Sequence, residues 1–269
     1  RAMHAPQEAL RRAGIAAAAH SLASSPEAAA RFAAEVLHAA EVASPASEVA
    51  SGAAGCEVGS TAPGPASNIA EGVARDVAKA AAAVVVKPRD ASGGDGTWLC
   101  TTEAQVRQAV IQELGRHNAE GAVNTELVVM EAFVGDEWVV NSVSRDGSHR
   151  VTDVWCGPPK LRLAVQAGEA AQFVYTEQFL APDSGRRRAV ISFCFEVLDA
   201  VGLSNGAAHT ELVWTAKGPR LLEVNARPAG GLPRLPTGPN QLEALVMSLA
   251  APGAFRELPT APDAATAEL

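Results

Sequence analysis

Between residues 127 and 156 the chain alternates strand runs with turns: LVVMEAFV, GDE, WVVNSVS, RDG and HRVTDVWC. A reversal as short as Asp146-Gly147 closes a two-residue hairpin. Such a turn can only join antiparallel neighbours, because parallel strands need a crossover of about a dozen residues or more. The pattern returns at AAHTELVW (207–214) and RLLEVNAR (220–227), joined by TAKGP. AVVVK (83–87) and WLC (98–100) flank a glycine-bearing loop, PRDASGGDGT. Helical spacing or capping residues mark 3–13, 26–38, 102–116, 186–201 and 239–250, with Ser24 or Ser25 as caps ahead of Pro26 and Glu27. Hairpins with helices between them predict an α+β fold with antiparallel sheets, not a doubly wound one.

The 269 residues suffice for one large or two small domains. A net charge of −8 argues against non-specific nucleic-acid binding and leaves room for a local basic site for phosphates. No apolar run reaches the ~18 residues of a membrane span, so no membrane partner is expected. The four cysteines (Cys56, Cys100, Cys156 and Cys194) show no CxxC or Cys/His ligand spacing, so reduced thiols and a cytoplasmic location are the default. Residues 39–82 are rich in Ala, Ser, Gly and Pro without apolar periodicity, and read as a low-complexity, disordered insertion. Residues 252–269 read as a tail.

In LLEVNARPAGG (221–231), Glu223, Asn225 and Arg227 fall at every second position and so share one strand face, leaving Leu222, Val224 and Ala226 for the buried one. With the turn centred on Lys217, Glu211 faces Glu223 and His209 faces Asn225. Two opposed carboxylates repel, and a divalent cation would reverse that sign. Two carboxylates and an amide oxygen form a hard-oxygen set suited to Mg²⁺, with Arg227 beside its phosphates. A plain solvated hairpin is the competing reading. The loop with Ser92, Gly93, Gly94, Gly96 and Thr97 after Lys87 lets backbone N–H groups approach an anion, or is only a turn; it is no Walker A loop. MEAFVGDEW places Glu131 and Glu137 about a turn, where carboxylates could accept from ribose hydroxyls, or where the turn is simply acidic. Lys160 is either a phosphate-facing cation or a loop lysine.

The order of these signals (lysine strand, glycine hairpin, Glu-x5-Glu crossover, then Glu-x11-Glu-x-Asn-x-Arg) resembles the ATP-grasp superfamily over residues 83–231. EAFVGDEWVVNSVSRDGSHRVTDVW and AAHTELVWTAKGPRLLEVNARPAGG are similar to its carboxylate–amine ligase branch, which includes L-amino acid ligases and carnosine-synthase-like enzymes. The resemblance implies two α+β subdomains whose antiparallel sheets clasp a nucleotide. The lead-in is 1–38, and the ATP-grasp domain is 83–251, split at 134/135 into a lysine-strand part and a metal/phosphate-binding part. It implies Lys87 on the ATP α/β-phosphates and residues Ser92–Thr97 as a mobile phosphate cover. Glu131, Ala132, Phe133 and Val134 become the adenine hinge, and Glu137 the ribose ligand. Glu211, Glu223 and Asn225 would hold Mg²⁺, with Mn²⁺ as an alternative, and Arg227 would steady the transferred phosphoryl group. Lys160 and His209 would face phosphate or substrate, His209 being equally readable as structural. The implied partners are small carboxylates and amines, amino acids above all, with room for a homodimer. Trp155, Arg162, Tyr175 and Arg234 are unranked candidates for the substrate pocket. Such ligases carry an N-terminal α/β domain, so a chain starting at Arg1 is expected to lack that piece. A non-catalytic nucleotide-binding module, or a carboxylase-like or purine-pathway chemistry, is the rival expectation.

Overall fold

The computed structural model describes residues 4–43, 83–90, 93–158, 161–163, 171–174, 178–231 and 238–263. The chain divides into two compact units, residues 1–4 with 18–134 and 159–176, and residues 5–17 with 135–158 and 177–269. Each is built on an antiparallel sheet, and the α+β expectation is met.

The first unit's sheet contains β1 (His20–Ala23), β2 (Val84–Pro88), β3 (Trp98–Cys100), β4 (Leu127–Glu131), β7 (Leu161–Leu163) and β8 (Ala171–Val174), in the order β1-β4-β2-β3-β8-β7. Helix α2 (Pro26–Ala43) opens where the Ala28 N–H donates to Ser25 Oγ at 3.2 Å. It runs five residues past the predicted end, into the segment expected to be disordered. AAEVA contains good helix formers, and the first proline after it is Pro45. Helix α3 (Glu103–Glu113) is capped by Thr102, whose side chain accepts from the Gln105 N–H. The buried alanines Ala29 and Ala33 bring α2 close to Val84, Val86, Leu127 and Val129, with Val106 and Val110 of α3 in the same core. On the sheet's other face, Ala83, Val85 and Leu99 form a smaller apolar group with Ala132.

The second unit contains α1 (His4–Arg12), β5 (Asp136–Arg145), β6 (Ser148–Gly157), β9 (Phe179–Leu180), α4 (Gly185–Ala200), β10 (Gly206–Thr215), β11 (Gly218–Asn225), α5 (Gln241–Ala250) and α6 (Pro252–Glu257). Its sheet order is β11-β10-β5-β6-β9. The β5–β6 turn has positive φ at both Asp146 (51°) and Gly147 (75°), as its sequence predicts. Helix α1, expected in one lead-in with α2, belongs to this second unit, where Gln7 Nε2 donates to the Leu221 carbonyl at 2.8 Å. The expected tail begins with helix α6, whose Phe255 is fully buried with Val143, Ala207 and Ala244. Among the described residues no helix is long and apolar enough to cross a membrane.

Two β-bulges interrupt this sheet. On β11, Glu223 faces Glu211, but Leu221 faces Leu212, so Leu222 is the extra residue. On β6, Asp153 faces Asn141, but Val151 faces Ser142, so Thr152 is the extra residue. The first corrects the expected buried set. Leu221 is 1% exposed, whereas Leu222 is only partly buried and Ala226 is exposed. The cysteine expectation is corrected at one position. Cys156 is disulfide-bonded, while Cys100 and Cys194 are buried free thiols, each pushed up to about 12 by burial. Disulfide pairing depends on the spatial approach of two Cα atoms, which sequence spacing does not report.

Candidate functional site

Strand register gathers the polar residues of the second unit onto one sheet face. One row across the strands runs Asn225 (β11), His209 (β10), Asn141 (β5), Asp153 (β6). The next runs Glu223, Glu211, Val139, Trp155. Glu137, two residues before Val139, shares this face and is buried. The facing pairs Glu211–Glu223 and His209–Asn225 are those the sequence predicts.

Side chains link along these rows. Asn225 Nδ2 donates to Glu223 Oε1 at 2.8 Å, which leaves the Asn225 Oδ1 as an acceptor. His209 lies with Nδ1 2.8 Å from Asn141 Oδ1 and Nε2 3.3 Å from Glu211 Oε1. Asn141 Nδ2 donates to Asp153 Oδ1, which also accepts from Trp155 Nε1 at 2.6 Å. Asp153 Oδ2 accepts from Thr152 Oγ1 at 2.8 Å. An open pocket of about 470 Å³ lies on this face, with Val139, Asn141, Trp155, Gln178, His209 and residues 229–231 around it. Its 229–231 wall is tied down by Gln241, which is fully buried. Its Oε1 accepts from the Ala229 N–H at 2.7 Å, and its Nε2 donates to the carbonyls of Ser142 and Ala208.

Arg227 stands apart from the predicted alternation. The strand ends at Asn225, and Arg227 lies beyond it in a bend, exposed, with Nη1 donating to the Pro228 carbonyl at 3.0 Å. The pleat therefore does not set its direction.

In the first unit, Lys87 follows Val85 at the strand period, on the Ala83–Val85–Leu99–Ala132 side of the sheet. The Glu131 N–H donates to the Ala19 carbonyl and the Ala132 N–H to the Ala83 carbonyl. The Glu131 carboxylate accepts from the Ala19 N–H at 3.3 Å. Phe133 is partly buried and Val134 exposed. Gly93, Gly94 and Gly96 all have positive φ, and the Thr97 N–H donates to the Gly94 carbonyl. The loop is anchored at Asp95, which accepts from Arg116 Nη2 at 2.7 Å and from the Ala119 N–H at 2.8 Å. Burial pushes the Asp95 carboxyl up, but the Arg116 hydrogen bond, the Ala119 N–H and the Arg116 charge together hold it below its ordinary value. Beneath the loop, buried Glu113 accepts from Trp98 Nε1 and Arg116 Nε. Ser92, Lys160, Tyr175 and Arg234 lie outside the described residues, as does 44–82; Arg162 falls on β7.

Sequence reading singled out Trp155 and missed Asn141, Asp153 and Gln241. Asn141 and Asp153 sit inside long strand runs, where only the cross-strand register shows that they meet. Gln241 opens a helix and reads as one more polar surface position.

No family model matches the chain. It is 32% identical over 149 residues to dapdiamide A synthase of Enterobacter agglomerans, a match covering 55% of this chain and 34% of that protein. The chain thus spans about a third of the length of that curated relative. Among solved structures, the L-amino acid ligase of Bacillus licheniformis aligns with a TM-score of 0.49 and 15% identity, over 86% of this chain and 41% of that one. The ATP-grasp ligase PsnB, solved with a phosphomimetic variant of its minimal precursor, Mg and ADP, aligns with a TM-score of 0.41 and 16% identity, over 83% and 49%.

Proposed function

We propose that this chain carries the nucleotide- and metal-binding core of an ATP-dependent carboxylate–amine ligase of the ATP-grasp kind. The observation that carries the reading is the facing of Glu211 and Glu223, with Asn225 hydrogen-bonded to Glu223. Carboxylates directly opposite on one sheet face repel at a cost of roughly 0.2–1 kcal/mol, and a divalent cation offsets that cost. Among the described residues no group of three or more His, Cys, Asp and Glu side chains forms a ready metal cage. Two carboxylates and the Asn225 Oδ1 suit a cation that completes its shell with phosphate oxygens and water, which is the habit of Mg²⁺. Mn²⁺ fits the same donors. When bound, the cation neutralises the charge of the transferring phosphoryl group.

The reaction has two steps. A substrate carboxylate oxygen attacks the γ-phosphorus of ATP, the bond to the β-phosphate oxygen breaks, and ADP leaves with an acyl phosphate formed. The amine nitrogen of the second substrate attacks the acyl carbon, the C–N bond forms, phosphate departs, and the amine's proton passes to solvent. The chain's residues position the reactants. Arg227 offers an exposed fork of donors for phosphoryl oxygens. Lys87 adds a point charge, and Glu137, on the Glu211 face, accepts from ribose hydroxyls. Because the N–H groups of Glu131 and Ala132 are already bonded, an adenine acceptor nitrogen is left to Phe133 or Val134. Amino acids are the substrates this reading favours for acid and amine.

Calorimetric titration with a non-hydrolysable ATP analogue tests the reading. Binding is expected with Kd on the order of micromolar in Mg²⁺, and it should be lost in Glu223→Ala. Binding that ignores both Mg²⁺ and Glu223 would overturn it. Analogue binding with no phosphate release across amino-acid pairs would favour the non-catalytic module.

A further inference from the structure

We infer that Asp153 is a positioning residue. It holds Trp155 and Asn141 directly and, through Asn141, fixes the His209 ring with hydrogen on Nδ1 and with Nε2 turned to Glu211. The consequence for turnover rests on the ligase reading; the orientation rests on hydrogen-bond geometry alone.

Asp153 is 2% exposed on β6 and accepts three hydrogen bonds, from Asn141 Nδ2, Trp155 Nε1 and Thr152 Oγ1. The acceptor on β6 decides which way the Asn141 amide lies. Its NH₂ is spent on Asp153, so its Oδ1 faces β10. Both ring nitrogens of His209 face acceptor oxygens, and the contact to the Asn141 amide oxygen at 2.8 Å is shorter than the 3.3 Å contact to Glu211 Oε1, so a ring with one hydrogen carries it on Nδ1. Nε2 is then the nitrogen presented to Glu211 Oε1 at 3.3 Å. A choice made by a carboxylate on β6 is thus passed across β5 to a residue beside the proposed metal ligand. The bulge serves the same end, because the extra residue Thr152 places its hydroxyl on Asp153 Oδ2. Three of the side chains held this way (Asn141, Trp155 and His209) border the pocket, so one buried group orders much of its polar lining.

The test is long-range ¹⁵N NMR of the full chain without nucleotide, at a pH where the ring is neutral, with His209 assigned from His209→Gln. The parent is expected to show the Nδ1–H tautomer and a Trp155 indole N–H protected from solvent exchange. In Asp153→Asn the acceptor set changes, the Asn141 amide is free to turn over, and His209 shifts to Nε2–H or a mixture while the Trp155 protection falls. An Nε2–H tautomer in the parent overturns the inference without need of any variant. An unchanged tautomer in Asp153→Asn overturns it too, and Asn141→Ala supplies the same comparison should Asp153→Asn fail to fold. In turnover, Asp153→Asn is expected to lose about tenfold or more, with Mg²⁺-dependent analogue binding kept. A parent that shows the Nδ1–H tautomer but neither binds nucleotide nor turns over would count against the ligase reading alone.

Discussion

At the scale of single residues, two glycines and one carboxylate carry consequences out of proportion to their size. A Cβ on Gly135 would lie 1.9 Å from the Trp214 carbonyl oxygen, so the entry to β5 has no room for a side chain. Gly135→Ala is expected to cost roughly 2 kcal/mol or more, seen as a lower denaturant midpoint. Gly96 combines φ of +65° with a Cβ position 2.5 Å from Glu113 Oε2 and 2.8 Å from Pro88 Cγ. Gly96→Ala should therefore loosen the phosphate-loop candidate by about 1–3 kcal/mol. Asp95 anchors the same loop. Its folded-state pKa lies below the unfolded one, so its contribution is full above the ordinary carboxylate range and is lost as pH falls through the lowered value. Urea midpoints of parent and Asp95→Asn should differ most near neutral pH and converge in acid, and a gap that stays constant with pH would refute the anchor. The opposed pair makes a further prediction. Without Mg²⁺, Glu223→Gln should be as stable as the parent or more so, because one of two facing charges is gone. Glu211, Glu223 and Asn225 were legible in the sequence because period-2 spacing converts directly into a face. Asp95 and Glu113 were not, since Arg116 lies 21 residues from Asp95 and Trp98 15 residues from Glu113, and only folding brings these pairs together.

At the scale of elements, the hairpins were readable because local turn chemistry decides them. Asp146-Gly147 needs two positive φ values and has them. The β10–β11 facing pairs followed from the turn position, but only on the far side of the bulge. The bulge itself has no short-range signature in TELVWTAKGPRLLEVN, and it is the reason that Leu221, not Leu222, is the fully buried leucine. Helix α2 outran its predicted end because composition was read as disorder where alanine also favours helix. β7 and β9 are three and two residues long, too short to display a period. Helix α5 was placed correctly, and its capping box now gives a reason: Asn240 accepts from the Leu242 and Glu243 N–H groups, and Glu243 accepts from the Asn240 N–H. Asn240→Ala should lower stability by about 0.5–2 kcal/mol, and should also loosen the pocket wall that the next residue, Gln241, secures.

At the scale of the whole molecule, each unit has its own sheet and its own buried cluster. Gly96→Ala is accordingly expected to reduce hydrogen-exchange protection in β2, β3 and β4 while β5 and β10 exchange as in the parent; loss in both would mean one cooperative unit. The α+β class was readable from the order of hairpins and helices along the chain. The assignment of residues 5–17 and 159–176 was not, because each belongs to the unit that its neighbours in sequence do not. The bulge at Leu222 bears on how relatives of this protein are to be recognised. Eleven residues separate Glu211 from Glu223, yet the hairpin would oppose the same two carboxylates with ten if that one extra residue were absent. The interval is the sum of a turn length and a local insertion, either of which can drift. A search pattern written with a fixed gap would pass over proteins whose carboxylates stand in the same place, and a one-residue gap in an alignment at this point should be read as geometry preserved.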